Sequence, residues 1–305
     1  MTQTQDLLQQ AQAHLQNAEH DAALDLFSQA IAADPDNPEG HYQRGMLLLE
    51  LERTREALRD LDRACKLASR EAKYYLGRAR LHAARGDWDN AMSDIRRVLK
   101  FDPNNADAYA ERGDLYNYRG QADKAMADYN KALELNPNLP AVYYNRGILY
   151  ADQQKHDLAK ADYDRSLALE PDDSDVYTSR GAALFYLDDL DGAVADFTKA
   201  IELDAENARA YNNRAVVKFV QQKYEAALAD YARGLELMPQ EPLLIGGFAL
   251  TSHALGKVDE ARELWRGLLR RDRRYADPDW VGKLMLWPPP LVEETRKLLA
   301  GLKGS

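Results

Sequence analysis

The side chains able to bind a metal, attack a carbonyl or shuttle a proton are few and dispersed. His14, His20, His41, His82, His156 and His253 are scattered along the chain, with no HExxH string and no cysteine partner at metal-ligand spacing. The single cysteine, Cys65, cannot form an internal disulfide and lies within an apolar helical pattern, where a small core residue is the expected reading. No GxxxxGK[ST], GxGxxG or GxSxG string supplies a phosphate cradle or a nucleophile elbow. Asp188, Asp189 and Asp191 before Gly192 approach the spacing of a calcium loop. Leu187 stands where the first carboxylate belongs, however, and no glutamate closes the loop, so these acids read as the start of a helix meeting its positive dipole end. The basic run at 270–274, Arg-Arg-Asp-Arg-Arg, suits the last turn of a helix for the opposite reason. The expectation is a protein without catalysis, cofactor or metal.

Composition narrows the partners. The 305 residues are 45% hydrophobic and 30% charged, enough to bury a core without staples. A net charge of -10 disfavours broad binding to a phosphate backbone, so nucleic acid is not expected as a partner. Neither a basic-then-apolar leader nor a membrane-length apolar run is present, and a cytoplasmic, non-inserted protein is the expectation. Charge is uneven: the first stretch, through Asn37, holds six acids and no Lys or Arg, whereas Arg78, Arg80, Arg85, Arg96 and Arg97 crowd the third. Such polarity could orient a charged partner or stack copies end to end.

The elements that position these residues are set by a repeat. Ala23, Ala57, Ala91, Ala125, Ala159, Ala193, Ala227 and Ala261 recur at a constant interval of 34 residues, without insertion. Small residues also recur at Gly45, Ala79, Gly113, Gly147, Gly181, Ala215 and Ala249, where two helix backbones must approach closely. Large fillers alternate with them: Tyr75, Tyr109, Tyr143, Tyr177 and Tyr211 in one column, and Phe27, Tyr129, Tyr163, Phe197, Tyr231 and Trp265 in another. Proline at Pro35, Pro103, Pro137, Pro171 and Pro239, usually beside Asp or Asn, ends one helix and helps start the next. Each unit is helix, tight turn, helix.

This pattern resembles the tetratricopeptide repeat, and residues 141–173 match it nearly column for column. The resemblance implies an all-α, right-handed solenoid of antiparallel helix hairpins with a C-terminal capping helix. Eight units are expected, at 4–37, 38–71, 72–105, 106–139, 140–173, 174–207, 208–241 and 242–275, the terminal ones irregular because each lacks a neighbour on one side. Arg44, Arg78, Arg112, Arg146, Arg180 and Arg214 form a further column, expected to pair with acids of adjacent hairpins.

Function then follows from the resemblance, which implies that the first helix of each hairpin lines a groove holding a protein or peptide ligand. Transferred to this chain, the groove positions give a mixed polar stretch including Arg80, Asp114, Asn117 and Tyr118. They continue with an apolar and aromatic stretch: Tyr144, Ile148, Phe185, Tyr186, Asn212, Val216 and Phe219. Tyr144, Phe185, Tyr186 and Phe219 are the expected anchors, ringed by Asp152, Asp175 and Arg209. The carboxylate-holding set of some co-chaperones of this family does not assemble, because Thr178 and Ala182 stand where Lys and Asn are required. The expected function is a non-catalytic scaffold, with a self-assembling array or an adaptor module of a larger complex as alternatives.

Beyond Tyr275, residues 276–287 read as a short helix stopped by Pro288, Pro289 and Pro290, after which a second helix places Leu291, Thr295, Leu298 and Leu302 on one face. This tail caps the last hairpin, or docks into the groove or onto another subunit.

Overall fold

The computed structural model describes residues 3–303, all helical or in short turns, and the chain divides into two compact bodies at Asn138 and Leu139. The N-terminal body holds eight helices: α1 (Gln3–Gln16), α2 (His20–Ala33), α3 (Pro38–Glu50), α4 (Thr54–Leu67), α5 (Ala72–Ala84), α6 (Trp88–Phe101), α7 (Ala106–Tyr118) and α8 (Ala122–Leu135). In the C-terminal body lie α9 (Pro140–Asp152), α10 (His156–Leu169), α11 (Ser174–Tyr186), α12 (Leu190–Leu203), α13 (Ala208–Val220), α14 (Tyr224–Leu237), α15 (Pro242–Ala254) and α16 (Val258–Arg271). A 3-10 turn at Arg273–Ala276 then leads to α17 (Pro278–Met285) and α18 (Pro289–Lys303). Successive odd and even helices through α16 pack as antiparallel hairpins. None of the helices is long and apolar enough to cross a membrane, among the described residues.

The spacing of small and large residues produces the hairpins directly. A methyl group added at Gly147 would lie 2.6 Å from the Tyr163 ring, and one at Gly181 2.8 Å from the Phe197 ring, so the small column exists to admit the large one. The alanine column is fully buried from Ala23 to Ala261. Cys65 is likewise buried, and burial pushes its thiol up to about 12, which leaves it an inert filler.

Helix ends follow local chemistry. The carboxamides or carboxylates of Asn37, Asn105, Asp173 and Asn207 accept from backbone N–H groups in the first turns of α3, α7, α11 and α13. Asp189 accepts from the N–H of Gly192 at 2.9 Å, so the acidic triplet begins α12. Each turn within a hairpin passes through one left-handed residue, at Ala18, Glu52, Gly86, Gly120, Gln154, Asp188, Gln222 and Gly256. Only three of these are glycine, so packing of the two helices imposes the conformation where the residue type does not favour it.

The arginine column pairs differently from the expectation. Arg44, Arg78, Arg112, Arg146, Arg180 and Arg214 each hold, in two-pronged bonds of 2.7 to 2.9 Å, an aspartate on the second helix of their own hairpin. Those aspartates, Asp60, Asp94, Asp128, Asp162, Asp196 and Asp230, are all buried. Pairing with the adjacent hairpin is an addition at Arg78, which reaches Asp62, and at Arg180, which reaches Asp164. The guanidinium groups from Arg78 to Arg214 also lie over Tyr75, Tyr109, Tyr143, Tyr177 and Tyr211 at 5.2 to 5.7 Å. A planar, permanently charged fork suits both contacts, which a lysine could not satisfy together.

The tail caps the last hairpin and reaches beyond it. Pro289 and Pro290 form the first turn of α18, where a missing N–H is harmless. Leu291, Thr295 and Leu298 are fully buried, as their shared face suggested. Yet α18 packs on α13 and α15 as well as α16, so it covers first helices of the seventh and eighth hairpins. Trp287 lies where a methyl on Gly246 would stand 2.8 Å away, and His253 Nδ1 meets Glu294 Oε1 at 2.5 Å.

Candidate functional site

The first-helix face of the C-terminal body opens into a concavity of about 630 Å³. On one side α9 supplies Tyr144, Ile148 and Asp152; opposite, α11 supplies Ala182 and Tyr186. His156 and Tyr163 of α10 form the floor and one edge, Arg209 and Asn213 come from α13, and Leu286 of the tail adds a wall. Leu286 is 75% exposed and left-handed, an unusual state for a leucine, which places an apolar side chain in solvent beside the opening.

Rings dominate the interior. Tyr144 and Tyr163 are 6.0 Å apart, and His156 stacks on Tyr186 at 4.5 Å with only 10° between the planes. Tyr186 remains 54% exposed. Tyr163 is the informative member. In the same column of the N-terminal body the Tyr129 hydroxyl donates to Asp114 at 2.7 Å, but the residue matching Asp114 here is Ile148, which offers no acceptor. The Tyr163 hydroxyl therefore carries no hydrogen bond among the described residues, although the side chain is 1% exposed. Burial raises its pKa, so the hydroxyl stays neutral and keeps its proton.

Charge at the rim is small and partly cancelled. Arg209 reaches Asp175 at 3.1 Å, whereas Asp152 makes no ion pair among the described residues. An open, ring-lined cavity with an unpaired carboxylate at Asp152 can hold a side chain of a bound segment.

Of the anchors expected from sequence, Tyr144 and Tyr186 come together in this cavity, with the expected groove residue Ile148 also in the lining. Phe185 does not join them: it lies edge-on to Tyr186 at 5.6 Å and packs with Leu184, Phe197 and Val217. Phe219 is corrected outright, being 3% exposed in a cluster shared with Leu291 and Leu298 of α18, so it cannot meet a partner there. Val216 is half-buried against the same cluster, and Asn212 is buried with its amide donating to Asn213. In the N-terminal body, Arg80 is held by Glu111 at 2.6 Å and Asp114 by Tyr129, while Asn117 is half-buried. Tyr118 is 66% exposed and lies against Trp88, the ring centres 4.1 Å apart and the planes tilted by 33°.

Sequence reasoning missed His156, Tyr163 and Leu286 as cavity residues. Two signals were present: the change from aspartate to isoleucine at 148, and the equal spacing that relates Trp88 to Tyr118 and His156 to Tyr186. Leu286 had none, because only the packed tail brings it to the opening.

Comparison with known proteins places the chain. Tetratricopeptide repeat family profiles match residues 8–72, 42–106, 95–127 and 140–173, and a TPR repeat profile matches 113–154 and 181–222. A tetratricopeptide repeat and J domain-containing co-chaperone of Fusarium oxysporum f. sp. lycopersici is 38% identical over 86 residues, 28% of this chain and 16% of that protein. The chain thus matches about a sixth of that relative's length. Among solved structures, YrrB, a TPR protein with an unusual peptide-binding site, is 22% identical, with a TM-score of 0.54 over 61% of this chain and 95% of its own. A tetratricopeptide repeat protein of Parabacteroides merdae is 20% identical, with a TM-score of 0.56 over 81% and 98%. At these identities the structures establish a shared fold. Register, hairpins and matched segments agree, and the chain belongs to the tetratricopeptide repeat family of protein-interaction scaffolds.

Proposed function

We propose that this protein is a non-catalytic scaffold that holds an extended or helical segment of a partner protein in the cavity between α9 and α11. The observation that carries the reading is the open aromatic cavity itself: Tyr144, half-buried, and Tyr186, exposed, line it where a solvated surface would carry charge. Rigid aromatic rings lose little entropy on binding and are the usual centres of interface energy. Phe219, covered by α18, is replaced in this role by Tyr144 and Tyr186.

The test begins with a partner captured from the source cell. Titration calorimetry should then find its affinity for a Tyr144→Ala, Tyr186→Ala double variant reduced by about 2 kcal/mol or more, with an unchanged circular dichroism spectrum. Full affinity in a folded double variant would move the binding surface elsewhere.

A further inference from the structure

We propose that the cavity between α9 and α11 takes a basic side chain, Lys or Arg, of the bound segment; this rests on the groove reading just given and names the partner's chemistry. The lining offers the rings of Tyr144 and Tyr186, the latter backed by the stacked ring of His156, an arrangement suited to a cation whose aliphatic stem lies along Ile148 and Ala182. Asp152 stands at the mouth without an ion pair among the described residues, so a carboxylate is available to an incoming charge. Among the lining residues the one Lys or Arg, Arg209, is already engaged by Asp175. An acidic side chain would meet Asp152 and have to break that pair.

The floor gives an independent argument. Tyr163 is almost wholly buried, lines the cavity and carries a hydroxyl without a partner among the described residues. Phenylalanine fills the same column at Phe197, so the hydroxyl is not needed for packing. An apolar guest would seal it off unsatisfied, whereas an ammonium or guanidinium donates to its oxygen. The chain's net charge of -10 steers such a partner in the same direction.

The experiment selects binders from a displayed library of random dodecapeptides on the full chain, then measures fluorescein-labelled selected peptides by polarisation. The expected result is a Lys or Arg beside bulky apolar residues. Affinity should fall about tenfold in Asp152→Asn and again in Tyr163→Phe. Asp152→Lys should reject these peptides and accept versions with Lys changed to Glu, a reversal that loss of fold could not produce. Peptides that depend on Tyr144 and Tyr186 yet lack a basic residue, or bind Asp152→Asn unchanged, would overturn the cation inference and leave the groove reading standing. Binding indifferent to Tyr144→Ala and Tyr186→Ala, or no binders at all, would remove both.

Discussion

In the body ending at Asn138, one first-helix column carries Arg80 and Asp114, each held by a polar partner; in the body beginning at Leu139, the same column carries Ile148, Ala182 and Val216. Lys73 is held by Glu39 at 2.5 Å, and Arg80 by Glu111 at 2.6 Å. Tyr129 is satisfied by Asp114. At matching columns the C-terminal body has Ile148 and Ala182, a Tyr163 hydroxyl without a partner among the described residues and a cavity, and farther along it has α18 lying on α13 and α15. From the second to the seventh hairpin the interior is built alike, by small residues under large side chains and by Arg–Asp pairs, so its packing leaves the first-helix face free to diverge. A repeat thereby separates the residues that hold it together from those that meet a partner.

The largest effect expected from breaking this contrast comes from the tail. Deleting residues 288–305 removes Leu291 and Leu298, both fully buried, and Leu299, nearly so, which costs roughly 5 kcal/mol at the usual value for a buried leucine. Urea denaturation should lower the midpoint of the C-terminal body alone. An equal fall in both bodies, or none, would refute the assignment of α18 to that body's core.

Next in size is the ladder common to both. Arg78→Met and Arg180→Met each leave a buried carboxylate uncompensated, at a cost of about 3 kcal/mol. Adding Asp94→Leu or Asp196→Leu respectively should recover most of it. A large loss in one body and not in the other would mean that the pairs do unequal work.

Ala159→Leu is expected to cost about 1 to 3 kcal/mol by overpacking a fully buried position in α10, and an unchanged midpoint would show that the column is not a close contact. The smallest effect concerns the charged surface. Burial raises the Glu39 pKa, but hydrogen bonds from Lys73, Gln43 and Tyr74 outweigh it and hold the carboxyl below its ordinary 4.5. Its contribution is therefore complete above pH 4.5 and lost as pH falls through the lower folded value. Wild type and Glu39→Gln should give parallel stability curves between about pH 5 and 7, with wild type falling more steeply below about pH 4.5. Parallel curves throughout would show that Glu39 gains nothing from its partners.

Helix count, hairpin pairing and the interior columns were legible because a packed repeat ties each residue type to one position: a methyl on Gly147 would strike Tyr163, so the pattern cannot drift. Of the site, Tyr144, Ile148 and Tyr186 could be found by transferring groove offsets, since those offsets reflect helix geometry alone. The partners of the arginine column were within reach too, because Asp60 to Asp230 recur with the same period. What periodicity could not supply is where a non-repeating segment lies. The face of α18 was readable, but its seat on α13 and α15, the consequent burial of Phe219 and the arrival of Leu286 at the cavity mouth depend on contacts between residues far apart in the chain. The sequence determined the hairpins through local helix periodicity and close packing of neighbours; only the tertiary structure decided which part of the first-helix face stays open, because the free energy of covering it is shared among side chains that no repeat relates.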